Sequence, residues 1–346
     1  MKRSVLLIYT GGTIGMVEDA ATRTLQPFLF EELTKQVSEL QRFDLSMESV
    51  SFDPPVDSSN MGIREWQQIA QTIEEHYHQY DGFVVLHGTD TMAYSASALS
   101  FMLQGLRKPV IFTGSQLPIG VLRTDGKENL ITAIQLAAME AGGNSVIQEV
   151  AIYFGSSLYR GNRTHKHSTE DFDAIQSPNL SPLAEAGIHI HFRHDLLFRA
   201  PEGMEFRANT TLDDRVAVMK LFPGLSDQYV EAICNLPDLQ CLVMETFGSG
   251  NAPTRPEFLR ILKEARDRGI QIMNVTQCNE GFVEQGRYAT SHQLRDLGVI
   301  PAADMTLEAT VAKAMYVLPR VQSDDSFEQQ MLKSLRGELT TFSALV

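Results

Sequence analysis

Short apolar runs separated by segments with helical spacing set the rhythm of the chain. Residues 5–9, 50–52, 83–86, 110–112 and 150–154 read as strands. Between them, Trp66, Ile69, Ala70, Ile73 and Tyr77 recur at the spacing of one helix face. Met92, Ser95, Ala96, Leu99, Met102 and Leu103 make a second such face, and residues 129–139 a third. Alternating strands and helices with short loops predict a mostly parallel sheet covered on both faces. A polar, proline-containing stretch from 177 to 214 interrupts this and reads as a hairpin-like segment and a linker. The rhythm restarts with strands at 216–221, 241–244 and 270–275 and helices at 226–234, 257–268 and around 307–316. The expected fold is therefore α/β in two domains. A larger N-terminal domain with a mostly parallel sheet covers 1–195, a linker covers 196–214, and a smaller C-terminal α/β domain covers 215–346. Length agrees, because single cores seldom grow past roughly 250–300 residues.

Charge narrows the partners. The chain has 43 acidic and 29 basic residues and a net charge of −14. That balance repels phosphates, so it disfavours nucleic acid and anionic membranes and suits a small-molecule enzyme. Cys234, Cys241 and Cys278 are odd in number and have no C-x-x-C spacing, so neither a disulfide framework nor a zinc knuckle follows. The first apolar run is too short for a signal peptide, and nothing approaches the roughly 20 apolar residues of a membrane span. The expectation is a reduced, cytoplasmic protein.

In open parallel sheets, ligands bind beyond the carboxyl ends of the strands. The loops found there are "YTGGTIG", "HGTDTMAYSASAL", "TGSQLP" and "GSSLYRGNRTHKHS". All are rich in Gly, Ser and Thr, so backbone and hydroxyl groups can approach a small polar ligand closely. The first loop has neither phosphate-loop spacing nor G-x-G-x-x-G, and no amphipathic helix follows it. The serine-hydrolase elbow and H-E-x-x-H are also missing. His165, His167, His189, His191 and His194 have no cysteine or paired carboxylate at ligand spacing, and read as polar-face residues rather than metal ligands. No metal or cofactor is expected.

Asp90 follows Thr89 at a helix start, where the dipole favours a carboxylate. It reads either as a simple N-cap or as the partner of a substrate ammonium or a lysine. Lys166 is the one lysine of the fourth loop and could serve as a proton shuttle. A threonine hydroxyl is a weak nucleophile that needs such a neighbour. With the hydroxyl pair Ser58–Ser59 in "DSSNM", these residues point to attack on an amide by threonine.

Together "TGGTIGM", "DSSNM", "HGTDTMAYSA", "TGSQLP", "RGNRTHK", "GSGNAP" and "ADMTLEAT" resemble the bacterial L-asparaginases, specifically the cytoplasmic type I branch, from residue 4 to about 340. The resemblance implies that Thr13 is the nucleophile and forms a β-aspartyl acyl-enzyme. It implies a second centre of Thr89, Asp90 and Lys166, in which Lys166 and Asp90 polarise Thr89. Asp90 would also hold the substrate α-ammonium and Ser58 the α-carboxylate, with Ser59 beside them. The backbone at Ser115 would lie at the substrate amide, and Gly12 would be a further substrate-binding residue. Asn251 would reach the site from a neighbouring subunit of a homo-oligomer, a dimer or a tetramer built as a dimer of dimers. L-Asparagine is the implied substrate.

Three departures stand out. No tyrosine occurs between Tyr9 and Tyr77, and Leu25 stands near the place of the loop tyrosine that many relatives carry. His165 stands where relatives often have Thr or Ala. Glu245 stands where some type I enzymes have an arginine near an activator asparagine, and its carboxylate would repel that effector. The polar stretch 16–26 is expected to close over the site as a lid. Two rival readings are a catalytically inactive amino-acid-binding protein and the glutaminase-like subunit of an archaeal tRNA amidotransferase. The latter should carry an additional N-terminal domain, whereas the first strand here begins near residue 4.

Overall fold

The structure, a computed structural model, describes residues 2–18, 25–27, 37–285, 289–321 and 324–341. It comprises two units, Met1–Thr210 and Thr211–Val346.

The first unit is built on an eight-stranded sheet. Its strands are β1 (Arg3–Tyr9), β2 (Leu45–Ser51), β3 (Gly82–Leu86), β4 (Val110–Thr113), β5 (Val150–Phe154), β6 (Ser157–Arg160), β7 (Ala184–Ala186) and β8 (Ile190–Phe192), in the order β8-β7-β6-β5-β4-β3-β1-β2. From β2 to β5 all neighbours are parallel, and β6, β7 and β8 are added antiparallel. The central strands β3 and β5 are buried along their whole length. That is why they read as unbroken apolar runs. The edge strand β2 starts five residues before the expected 50–52. Its "LSMESVS" alternates exposed and half-buried positions, so serine and glutamate on its open face mask the strand.

Three helices cover this sheet: α1 (Ile63–His76), α2 (Met92–Met102) and α3 (Gly126–Ala138). α1 buries Trp66, Ile69, Ala70 and Ile73, the face predicted from spacing, and Glu65 accepts from the Gly62 N–H at its start, 3.0 Å. α2 is buried on nearly every side, hence its apolar composition all round. Leu130, Ala133, Ile134 and Ala137 of α3 share one core cluster with Val5, Leu7, Val84 and Ile111 of the sheet.

The polar stretch after residue 177 does form a hairpin, β7–β8, and this hairpin extends the main sheet. The residues that follow are hydrogen-bonded to the same unit. Phe198 N–H donates to Glu149 Oε1 at 2.7 Å, and Asn209 N–H to the Met102 carbonyl at 2.8 Å. Glu149 is itself buried and paired with Arg160 at 2.7 Å.

The second unit has a four-stranded parallel sheet, β9 (Val216–Lys220), β10 (Cys241–Thr246), β11 (Gln271–Thr276) and β12 (Ile300–Pro301), in that order. Its helices are α4 (Asp227–Cys234), α5 (Pro256–Asp267), α6 (Ala289–Asp296), α7 (Leu307–Val317) and α8 (Asp324–Leu332). Ser226 and Thr306 cap α4 and α7 through their side chains. Lys313 of α7 is fully buried and meets Glu338, also fully buried, at 2.6 Å. The lysine further donates to the carbonyls of Met331 and Lys333, each at 2.7 Å. Glu338 accepts the N–H groups of Leu335 and Arg336 at 2.9 and 2.7 Å.

Cys234 and Cys241 are buried and Cys278 is exposed, all as free thiols. Burial pushes the Cys234 and Cys241 thiols up to about 11 and about 12, which keeps them protonated and unreactive. Among the described residues no helix is long and apolar enough to cross a membrane.

Candidate active site

The loops that follow β1, β2 and β3 meet at close range. Thr10 donates from both N–H and Oγ1 to the Leu86 carbonyl, each at 3.0 Å, and its own carbonyl accepts from Val56 N–H at 2.8 Å. Gly11 and Gly12 have φ of 133° and 89°. A Cβ on Gly11 would lie 2.1 Å from the Val56 oxygen, and one on Gly12 would lie 2.4 Å from the Gly88 nitrogen. A Cβ on Gly88 would lie 2.5 Å from Ser58 Oγ. Glycine is thus required by backbone angle at the first two positions and by close approach at all three. The result is that Thr13, Ser58 and Thr89 stand on segments in direct contact.

Thr13 opens a short helical turn, Thr13–Gly15, and is half-buried. Ser58 is buried, and its carbonyl accepts from Thr91 Oγ1 at 2.6 Å. Ser59 is exposed, and both its N–H and its hydroxyl bind Asp57 Oδ1, at 2.8 and 2.7 Å. Those two bonds hold the Asp57 carboxyl below its ordinary range. Thr89 and Asp90 lie in the turn Thr89–Thr91 that leads into α2.

Lys166 lies on a two-residue strand, His165–Lys166, paired with Ile175–Gln176. Its Nζ donates to Thr89 Oγ1 at 2.9 Å and to Asp90 Oδ1. Asp90 is mostly exposed, and its bond to Lys166 uses only one of the two carboxylate oxygens. The other oxygen faces no described partner and can accept from a cation. Sequence spacing did not determine this grouping, since the lysine lies 76 residues beyond Asp90.

Sequence reasoning missed three contributors. Gln116 accepts the Thr89 hydroxyl on Oε1 at 3.2 Å, and its Nε2 donates to the Asp171 carbonyl at 3.2 Å. The Asp171 carbonyl can only accept, which fixes the amide orientation and makes Thr89 the donor to Gln116. Asp125 accepts from the N–H groups of Gln116 and Leu117 at 3.0 and 3.1 Å, so it shapes the turn that carries Ser115. The Ser115 hydroxyl donates to the Leu117 carbonyl at 2.6 Å. Gln116 was visible in "TGSQLP", next to the serine singled out there. Asp125 gave no signal.

The third is His87, fully buried before Gly88. Burial drives its pKa down to about 4, and the bond to the Gly88 carbonyl opposes this only in part. The unfolded chain therefore takes up a proton between pH 6.5 and about 4 that the folded chain does not, and stability is lost as pH falls through that window. Urea unfolding of wild type should lose about 3 kcal/mol more than His87→Phe between pH 7 and pH 4. Equal losses would mean that the folded ring protonates freely.

Asn251 belongs to the second unit, in a tight loop where it and Phe247 exchange backbone bonds at 2.8 and 2.9 Å. Glu245 lies one residue before the end of β10 and faces Lys220 at 3.5 Å. The described parts of the 16–26 stretch are two short paired strands, Met16–Glu18 and Leu25–Pro27. The rest of the expected lid, and the Leu25 side chain, lie outside the described residues. Among the described residues, no group of three or more His, Cys, Asp or Glu gathers as a metal site.

Residues 4–198 match the family model for the asparaginase N-terminal domain, and residues 215–331 match the glutaminase/asparaginase C-terminal domain. The chain belongs to the asparaginase family. It is 44% identical over 348 residues to L-asparaginase 1 of Escherichia coli, covering 98% of both chains. The crystal structure of L-asparaginase I from Vibrio cholerae superposes with a TM-score of 0.89 at 40% identity, covering 99% of this chain and 100% of that one. A glutamyl-tRNA(Gln) amidotransferase component from Pyrococcus horikoshii is a more distant relative of this asparaginase, at 32% identity over 98% of this chain and 77% of its own length.

Proposed function

We propose that this asparaginase-family chain hydrolyses L-asparagine to aspartate and ammonia through a threonine acyl-enzyme. The observation that carries the reading is Lys166 Nζ on Thr89 Oγ1 and Asp90, beside the contact of Gly12 with Gly88. Thr13 Oγ adds to the side-chain amide carbon, ammonia leaves with a proton, and water then cleaves the ester. Thr89, polarised by Lys166 and Asp90, assists the attacking group or the water. The free Asp90 oxygen takes the substrate α-ammonium. Ser58 takes the α-carboxylate with Ser59 beside it, and the backbone at Gly12 and Ser115 lies at the amide. Asn251 acts from a neighbouring copy in a dimer or a dimer of dimers, and the enzyme works in the cytoplasm.

Asparagine and glutamine differ by one methylene, which typically yields only about 1–3 kcal/mol of discrimination. Ammonia release should therefore favour asparagine over glutamine by roughly 10–200-fold in kcat/KM. It should rise hyperbolically with asparagine, because Glu245 repels a second carboxylate. A sigmoidal curve would restore an activator site. Thermal stabilisation by asparagine without ammonia release would make the chain a binder instead.

A further inference from the structure

None of the roles above uses the ring of His87. Its Nδ1 lies 2.7 Å from the carbonyl of the next residue, Gly88. A carbonyl only accepts, so Nδ1 carries the proton and Nε2 is a bare acceptor. That Nε2 is buried and has no hydrogen-bond partner among the described residues. The ring instead sits near Phe112, with centroids 5.8 Å apart. An unpartnered buried acceptor destabilises the fold, whereas a phenylalanine would fill similar space without that cost. The benefit that offsets it has to come from Nδ1–H.

What Nδ1–H controls is the direction of one peptide. Gly88 has to be glycine, because a Cβ there would strike Ser58 Oγ. Glycine also leaves the Gly88–Thr89 peptide the freest in the loop to rotate. In a trans peptide the C=O and N–H point to opposite sides. Anchoring the Gly88 oxygen on the His87 ring turns the Thr89 N–H away from the ring. His87 is itself held, by its N–H to the Thr113 carbonyl at 2.9 Å and by the close approach of Gly114 to its own carbonyl. The Thr89 N–H meets no acceptor among the described residues and opens the turn Thr89–Thr91.

We propose that His87 is a positioning residue: its Nδ1–H latches the Gly88 carbonyl so that the Thr89 N–H faces the oxygen of the amide under attack. This rests on the hydrolase reading above. Negative charge collects on that oxygen when Thr13 adds, and a donor fixed beforehand stabilises it without reorganising. A flipped peptide would present the Gly88 oxygen to the same charge.

The test compares wild type, His87→Phe and His87→Asn on L-asparagine. The phenylalanine keeps volume and removes the donor, while asparagine restores an N–H near the Nδ1 position. His87→Phe should lower kcat by about 100-fold or more with KM changed less than about threefold, and His87→Asn should return to within about tenfold of wild type. An unchanged kcat in His87→Phe overturns the latch, and so does an asparagine variant no better than the phenylalanine one. Wild type that releases no ammonia overturns the hydrolase reading itself, and the latch's catalytic role with it, before any variant is compared. Nitrogen NMR of the wild-type imidazole provides an answer even where a variant does not fold. A protonated Nδ1 with a bare Nε2 supports the latch, and the opposite tautomer overturns it.

Discussion

Thr13→Ala should abolish ammonia release, lowering kcat by roughly four orders of magnitude or more, while asparagine should still raise the melting temperature. The separation follows from where Thr13 stands. It opens a turn held by Gly12 against Gly88, and the turn is closed by the Gly15 N–H on the Gly12 carbonyl at 3.2 Å, with no part played by the threonine side chain. Removing the hydroxyl therefore leaves the loop and the proposed ammonium and carboxylate contacts at Asp90 and Ser58 in place. Only the proposed attacking atom is lost. Stopped assays with wild type in parallel measure the rate, and thermal shifts with asparagine measure binding. Turnover at the wild-type rate would remove Thr13 from the mechanism. Loss of the thermal shift along with turnover would make it a binding group.

The largest effect on stability is expected at Lys313. Lys313→Met leaves the Glu338 carboxylate buried without its countercharge and should cost about 3–5 kcal/mol. Burial already lowers the Lys313 pKa, and Glu338 works against that. The double variant Lys313→Met/Glu338→Gln should be more stable than the single one. Its amide oxygen still accepts from the Leu335 and Arg336 N–H groups, and the carboxylate charge that faced Lys313 is gone. Urea unfolding followed by probes in each unit is the measurement, because two units need not unfold together. A loss below about 1 kcal/mol in the single variant would show that packing alone holds this segment.

Much of the fold was legible because its central strands are covered on both sides. Residues 83–86 and 150–154 are continuous apolar runs for that reason, and the face Trp66, Ile69, Ala70, Ile73 is the buried face of α1. β2 was half hidden, since an edge strand in "LSMESVS" has one polar side. The hairpin at 184–192 was seen but not its place in the main sheet, because pairing across distant segments leaves no periodicity to read. In the site, Thr13, Thr89, Asp90 and Lys166 were nameable from hydroxyl, carboxylate and amine chemistry on glycine-rich loops, helped by a resemblance of whole motifs. His87, Gln116 and Asp125 were not. A histidine looks the same in a sequence whether it is buried or solvent-facing, and the bonds that give Gln116 and Asp125 their work cross the fold.

The interlocked glycines also limit how this protein can acquire new substrates. Gly11, Gly12 and Gly88 each face another backbone or a serine with no room for one methyl group. Any amino-acid change at these three positions disturbs the loops together, so adaptation by single substitutions is closed off there. A broader or narrower amide preference has to be reached through side chains around the interlock, such as Gln116 with its tie to Asp171. The same backbone contacts therefore divide the proposed site into a part that evolution can hardly vary and a part where variation is tolerated.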